Sequence, residues 1–161
     1  MRQVREKHHR LPDECYRGEL VVAFTANLKL HPQAPVTEDL FRPLAGFLEG
    51  ECRRYGCSAE AYVLMPDHGH FLLRGDREDS DVLKAMRSFK HLSGYWFYKN
   101  DPQYRWQKDF YDHIVRTDEE KLIQIRYILE NPVKKGLVQS WKDYPFKGSM
   151  VHDLAAWDEC L

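Results

Sequence analysis

What most restricts the fold of this chain is the order in which its apolar residues change period. Glu19 to Leu30 carries Val21, Val22, Phe24 and Thr25 in a β-rich run and reads as a strand. Thr37 then opens a helix to about Tyr55, with Phe41, Leu44, Ala45, Leu48 and Cys52 on its buried stripe. Ala59 to Met65 and His68 to Arg74 are two strands joined by a Pro66-Asp67 turn. From Ser80 to Lys99 the period returns to helical, burying Val82, Met86, Phe89, Ser93 and Trp96. Trp106 to Val115 is a fourth strand. A last helix starts at Thr117, whose hydroxyl and Glu120 form a capping box, and Pro132 is expected to stop it after Asn131, with Leu122, Ile125 and Leu129 as its core stripe. This order of strand, helix, strand, strand, helix, strand, helix predicts an α+β fold: a ferredoxin-like antiparallel sheet with helices on one face, plus an added C-terminal helix. The first and third strands of such a sheet are central, and the last helix must lie across or beside its open face.

A chain of 161 residues, 43% hydrophobic and 13% aromatic, is long enough for one compact domain, here residues 1–161 with a polar arm (1–18) and a tail (139–161). The tail carries Trp141, Tyr144, Phe146 and Trp157 and is expected to pack back on the domain. No apolar run reaches membrane-spanning length and the start lacks the hydrophobic centre of a signal peptide, so the expectation is a cytoplasmic, nucleoid-associated protein with no membrane partner. Cys15, Cys52, Cys57 and Cys160 lack paired metal-site spacing and read as reduced thiols. A net charge of −1 and a pI near 6.7 argue against indiscriminate nucleic-acid binding. The acids, however, concentrate at helix starts and between Gly75 and Asp81, and this leaves basic faces elsewhere.

Chemistry enters at Met65-Pro66-Asp67-His68-Gly69-His70. On an extended strand His68, His70 and Leu72 share one face while Phe71 and Leu73 take the other, so two neutral imidazoles aim at one point and can hold a divalent cation. The same spacing also arises in strands that hold nothing. On the last helix Tyr127 and Asn131 are one turn apart, facing away from the core stripe. Alone they are an exposed tyrosine and a helix-end asparagine. Combined with the histidines, Asn131 can offer an amide oxygen as third ligand and Tyr127 a nucleophile. Three other groups of residues are basic or aromatic. The arm carries Arg2, Arg5, Lys7, His8, His9, Arg10 and Arg17, and is either a grip on a nucleic-acid hairpin or a solvated tail. The second helix presents Lys84, Arg87, His91, Tyr95 and Tyr98 on one face, a stacking surface for bases or an ordinary polar face. Arg105, Trp106, Gln107 and Lys108 open the fourth strand, with Trp106 equally at home in a core.

Taken in order, Arg10-Leu11-Pro12, Tyr16-Arg17-Gly18, Met65-Pro66-Asp67-His68-Gly69-His70, Trp106-Gln107, Tyr111-Asp112-His113-Ile114-Val115-Arg116, Tyr127 to Val138 and Asp143-Tyr144-Pro145-Phe146 resemble the single-tyrosine HUH transposases. The likeness is nearest to the REP-associated tyrosine transposases and runs from about residue 10 to about residue 148. Two departures stand out. Gly69 takes the place of a bulky apolar residue and is expected to loosen the strand or mark a bulge. Lys147 and Gly148 stand where paired serines often follow. The resemblance implies a single-stranded DNA transposase or endonuclease that cuts and rejoins strands through a 5′-phosphotyrosine on Tyr127. It also implies Mg²⁺ or Mn²⁺ on His68, His70 and Asn131, where ligand softness alone favours zinc. The implied partner is single-stranded or hairpin DNA, met by a monomer or homodimer. Candidate DNA contacts are Arg10, Arg17, Lys84, Arg87, His91, Tyr95, Arg105, Lys108, His113 and Arg116, the last two also able to tune the site. A non-catalytic single-stranded nucleic-acid binder and a metal-dependent hydrolase, with water attacking, are the competing readings.

Overall fold

A computed structural model of the chain describes residues 10–29 and 35–158. Arg2, Arg5, Lys7, His8, His9, Leu30 and Cys160 lie outside the described residues. Five strands and three α-helices alternate: β1 (Val21–Lys29), α1 (Glu38–Arg54), β2 (Cys57–Leu64), β3 (His68–Gly75), α2 (Val82–Asn100), β4 (Arg105–Val115), α3 (Asp118–Lys134) and the short β5 (Lys147–Gly148). They form one antiparallel sheet in the order β4-β1-β3-β2-β5, with β1 and β3 interior as the strand order predicts.

Side-chain alternation divides the sheet into two apolar faces. Val22, Phe24, Ala26 and Leu28 of β1, with Phe71 and Leu73 of β3, pack under α1 and α2, whose Leu44, Leu48, Met86, Phe89 and Phe97 complete a first core. On the opposite face Ala61, Val63, Leu72 and Val115 meet Ile125, Ile128 and Leu129 of α3, closed by Trp141 and Tyr144 from the tail. Each helix starts on a side-chain cap. Thr37 accepts from the Leu40 amide, Asp81 from Lys84 and Thr117 from Glu120.

Several expectations need correction. Pro132 does not end α3. It occupies the last turn, which runs to Lys134 and closes where Gly136 turns to φ +74° and the Leu137 amide reaches the Pro132 carbonyl. Leu122 is 59% exposed, and Ile128 takes its place in the core. Both residues continue an apolar arc at helical spacing, and only the position of the sheet decides which side of the arc is buried. Likewise Phe97 rather than Trp96 fills the first core, and Ala45 is half-buried. Gly69 marks no bulge, because the β1–β3 register runs unbroken through it. Instead the Phe71 ring lies over it so closely that a Cβ would stand 2.5 Å from Phe71 Cζ. Trp106 belongs to the core, its indole N–H donating to the buried Ser93 hydroxyl.

The described part of the arm is docked on the domain rather than left as a solvated tail. Residues Asp13–Tyr16 form a 3₁₀ turn, and Tyr16 is fully buried with its hydroxyl on Asp112. Arg10 donates to the same carboxylate and to the Phe110 carbonyl, its guanidinium 4.2 Å from the Phe110 ring centroid. At the other sheet edge Glu60, buried where β2 shifts register, gathers Arg74, Lys121 and His152 and so joins β3, α3 and the tail. Cys52 and Cys57 are buried thiols, and burial pushes the latter up to about 11. No helix among the described residues is long and apolar enough to cross a membrane.

Candidate active site

The two histidines sit at the start of β3 because the Met65 amide closes a tight turn onto the His68 carbonyl at 2.7 Å. Both rings rise on the face that α3 covers, and their Nε2 atoms lie 3.1 Å apart. Each Nδ1 has its own partner. The Asp67 carboxylate, 2.6 Å from His68 Nδ1, fixes the proton there and leaves Nε2 a lone pair. Thr25, directly opposite His70 in the β1–β3 register, puts its hydroxyl 2.9 Å from His70 Nδ1. A hydroxyl also accepts, so the tautomer with its proton on Nδ1 suits His70 as well. Burial, reinforced by the neighbouring His68, lowers the His70 ring to about 4, so it is a neutral donor at ordinary pH.

From above, α3 lowers Asn131 into the same point. Its amide nitrogen is 3.0 Å from His70 Nε2, and its Oδ1 is buried with no hydrogen-bond partner among the described residues. An orphan carbonyl of this kind costs about 1–3 kcal/mol. Two facing imidazole lone pairs and an unsatisfied amide oxygen suit a cation, with the amide turned so that its oxygen faces inward. Among the described residues no three His, Cys, Asp or Glu groups converge to hold an ion.

Tyr127, one turn before Asn131, stands edge-on to His70 with ring centroids 5.3 Å apart. It is 44% exposed and its hydroxyl has no protein partner among the described residues. Beneath it lies a cleft of about 150 Å³ between α3 and the β1–β4 surface, lined by Thr25, His70, Tyr111, His113 and Gln124. Lys134, two turns along α3, holds its ammonium 5.2 Å from the Tyr127 ring centroid.

His68, His70, Tyr127 and Asn131 therefore converge as the spacing predicts. The other candidates scatter. His113 lines the cleft but bonds to Glu120, which also accepts from the Arg116 amide; these contacts hold the Glu120 carboxyl below its ordinary range. Arg116 is exposed just beyond β4. Arg105 and Lys108 are exposed at the opposite end of that strand. Lys84, Arg87, His91 and Tyr95 ride on α2, across the sheet from Tyr127, with Arg87 paired to Asp13. Arg17 pairs with Asp81 at 3.5 Å, and Arg10 is turned inward. Thr25, Asp67 and Lys134 are additions. Asp67 adjoins His68 and Lys134 follows Tyr127 by seven residues, so both had a local signal. Thr25 had none, its partner being 45 residues away.

The family model described as IS200-like transposases matches residues 33–131, a span that contains all four converging residues. A candidate REP-associated tyrosine transposase of Haemophilus influenzae is 30% identical over 59% of this chain and 60% of its own length. The REP-associated tyrosine transposase of Escherichia coli is 32% identical over 53% of this chain and 50% of its own. The chain thus spans roughly half of the curated relatives it matches. Among solved structures, a REP-associated tyrosine transposase bound to a REP hairpin superposes with a TM-score of 0.71, covering 91% of this chain and 82% of that one at 24% identity. A candidate transposase from Deinococcus radiodurans gives 0.50, over 72% and 92%, at 19% identity. At these identities the likeness establishes the shared fold.

Proposed function

This chain belongs to the IS200-like transposase family, and on that premise we propose that it cuts and rejoins single-stranded DNA through a covalent bond to Tyr127. The phenol oxygen attacks a scissile phosphorus. The bond from phosphorus to the 3′ oxygen breaks, that oxygen leaves with its electron pair and takes a proton, and the phenol proton passes to solvent. The products are a 5′-phosphotyrosine and a free 3′-hydroxyl. Reversal by another 3′-hydroxyl joins strands without a nucleotide cofactor, since the phosphotyrosine conserves the energy of the broken link.

A phenol with an ordinary pKa of about 10 is a weak nucleophile near neutrality, so its surroundings must favour the attack. His68 Nε2, His70 Nε2 and Asn131 Oδ1 are the groups that would hold Mg²⁺ or Mn²⁺. Such an ion, when bound, polarises a non-bridging phosphate oxygen and fixes the phosphorus for in-line displacement. Thr25 and Asp67 keep the imidazoles oriented. Lys134 places a positive charge where the phosphate must approach Tyr127. His113 and Arg116 flank the cleft along which the strand would lie. The substrate we favour is a hairpin with a single-stranded flank, the hairpin being what the solved neighbour binds.

The observation that carries this reading is the buried Asn131 amide, its nitrogen 3.0 Å from His70 Nε2 and its oxygen without a hydrogen-bond partner among the described residues, one turn from a half-exposed tyrosine. The test is to incubate the protein with a labelled hairpin oligonucleotide and Mg²⁺ or Mn²⁺ and look for a protein–DNA adduct on a denaturing gel. The adduct should form with the wild type and vanish in Tyr127→Phe. Cut DNA free of protein would point to hydrolysis by water, and binding without cutting to a non-catalytic module.

A further inference from the structure

The outer surface of α2 has no part in the chemistry above. Its 19 residues include Lys84, Arg87, Lys90 and Lys99 but not one carboxylate, in a chain whose Asp and Glu outnumber Lys and Arg by 25 to 24. A solvated helix usually mixes signs to gain pairs one turn apart, as α1 does with Glu38–Arg42 and Glu49–Arg53. Two rings stand in solvent on the same helix, Tyr95 at 60% and Tyr98 at 72% exposure. The Lys99 ammonium is 5.8 Å from the centroid of each. Beside Tyr98, α2 and the start of β4 enclose a cleft of about 400 Å³, floored by Gly94, Tyr104 and Trp106 and edged by Tyr98, Arg105 and Lys90.

Gly94 is informative about that floor. A Cβ there would stand 3.7 Å from Trp106 Cδ1, an ordinary contact, so the backbone does not require glycine. Alanine would favour the helix by about 1 kcal/mol. Glycine therefore costs α2 some stability and leaves the cleft deep.

We propose that this cleft receives an unpaired base of single-stranded DNA, stacked on Tyr98, while the adjoining phosphates pass Lys99 and Arg105. Exposed ring faces serve a strand whose bases are free to stack, and the exposed cations Lys99 and Arg105 beside them serve its backbone. The location fits the same substrate. In the sheet Asn27 is opposite His68 and Lys29 opposite Arg105, so the cleft opens at the histidine end. Within the sheet, two strand spacings and two residues, about 12 Å, separate the backbone positions of His68 and Arg105, with the cleft on the α2 face and the histidines on the other. Lys29 and Arg105, both exposed, continue the positive path around that end. The inference rests on the strand-processing function proposed above and adds the course of the DNA beyond the cut.

The test uses the full chain carrying Tyr127→Phe, so that no covalent link forms, and fluorescence anisotropy with a labelled single strand of about 12 nucleotides, within the usual site size. Tyr98→Ala and Gly94→Leu should each weaken binding about tenfold or more, while a blunt duplex changes less than about twofold. Leucine favours helix over glycine, so Gly94→Leu fills the cleft without lowering the melting temperature. Unaltered single-strand binding in both variants, or an equal loss for duplex, would overturn the proposal. Its fate is separable from that of the nicking reaction. Cleft-dependent binding with no Tyr127 adduct in the wild type sinks only the latter, and an adduct with cleft-independent binding sinks only the former.

Discussion

His70 is the most constrained residue of the site, with Thr25 on one nitrogen, His68 and Asn131 on the other, and an imidazole lowered to about 4. The unfolded chain titrates this ring near 6.5, so between pH 6.5 and 4 the unfolded state binds more protons and the ion-free protein loses stability as pH falls. The loss should reach at most about 3 kcal/mol and be flatter in His70→Gln; melting curves in chelator at pH 7.5 and 4.5 measure it. Thr25→Val removes the hydroxyl that orients His70 and should weaken Mn²⁺ binding about 10- to 100-fold, with Thr25→Ser restoring it, as read by calorimetry. At this scale the candidate ligands and nucleophile were legible because their spacings are local: two residues on a strand, four on a helix. Thr25 was not, because strand register brings it to His70. Arg10 shows the opposite failure, a cation that looked free in sequence yet serves Asp112 and Phe110.

Among the elements, α3 was legible in its existence and its start but not in its rotation or its end. Leu122 and Ile123, 59% and 61% exposed, extend the same apolar arc as Ile125 and Ile128, and periodicity alone cannot tell which part of the arc meets a sheet. Ile125→Ala should therefore cost about 2–4 kcal/mol and Leu122→Ala less than about 0.5 kcal/mol in urea denaturation. The end was misjudged because proline breaks a helix only by removing one amide and crowding one carbonyl, which a final turn closed by Gly136 tolerates. In β3 the glycine between the histidines is matched to the ring above it. Gly69→Leu should destabilise by about 1–3 kcal/mol and recover much of this when Phe71 is changed to valine, a coupling that a double-mutant cycle measures.

For the molecule as a whole, segment order was enough to derive the antiparallel sheet with β1 and β3 inside it, since antiparallel pairing with short connections leaves few arrangements; the short β5, which covers β2, was not foreseen. What lay beyond reach was how the ends are tied in. Asp112 fastens Arg10 and Tyr16 to β4, and Glu60 fastens the tail. Both are contacts across roughly ninety residues or more, with no periodic trace. Asp112→Ala leaves a buried phenol and guanidinium without their acceptor and should lower stability by about 2–4 kcal/mol, read from the denaturation midpoint at constant slope. On the opposite side of the sheet, Tyr127 and Asn131 ride on a single rod one turn apart, while the histidines are fixed to the floor beneath. Any roll of that rod about its axis displaces both side chains in the same stroke. If the proposed roles hold, such a roll could not swing the phenol clear and leave the seat for an ion whole, so disarming the site by that motion would mean emptying it.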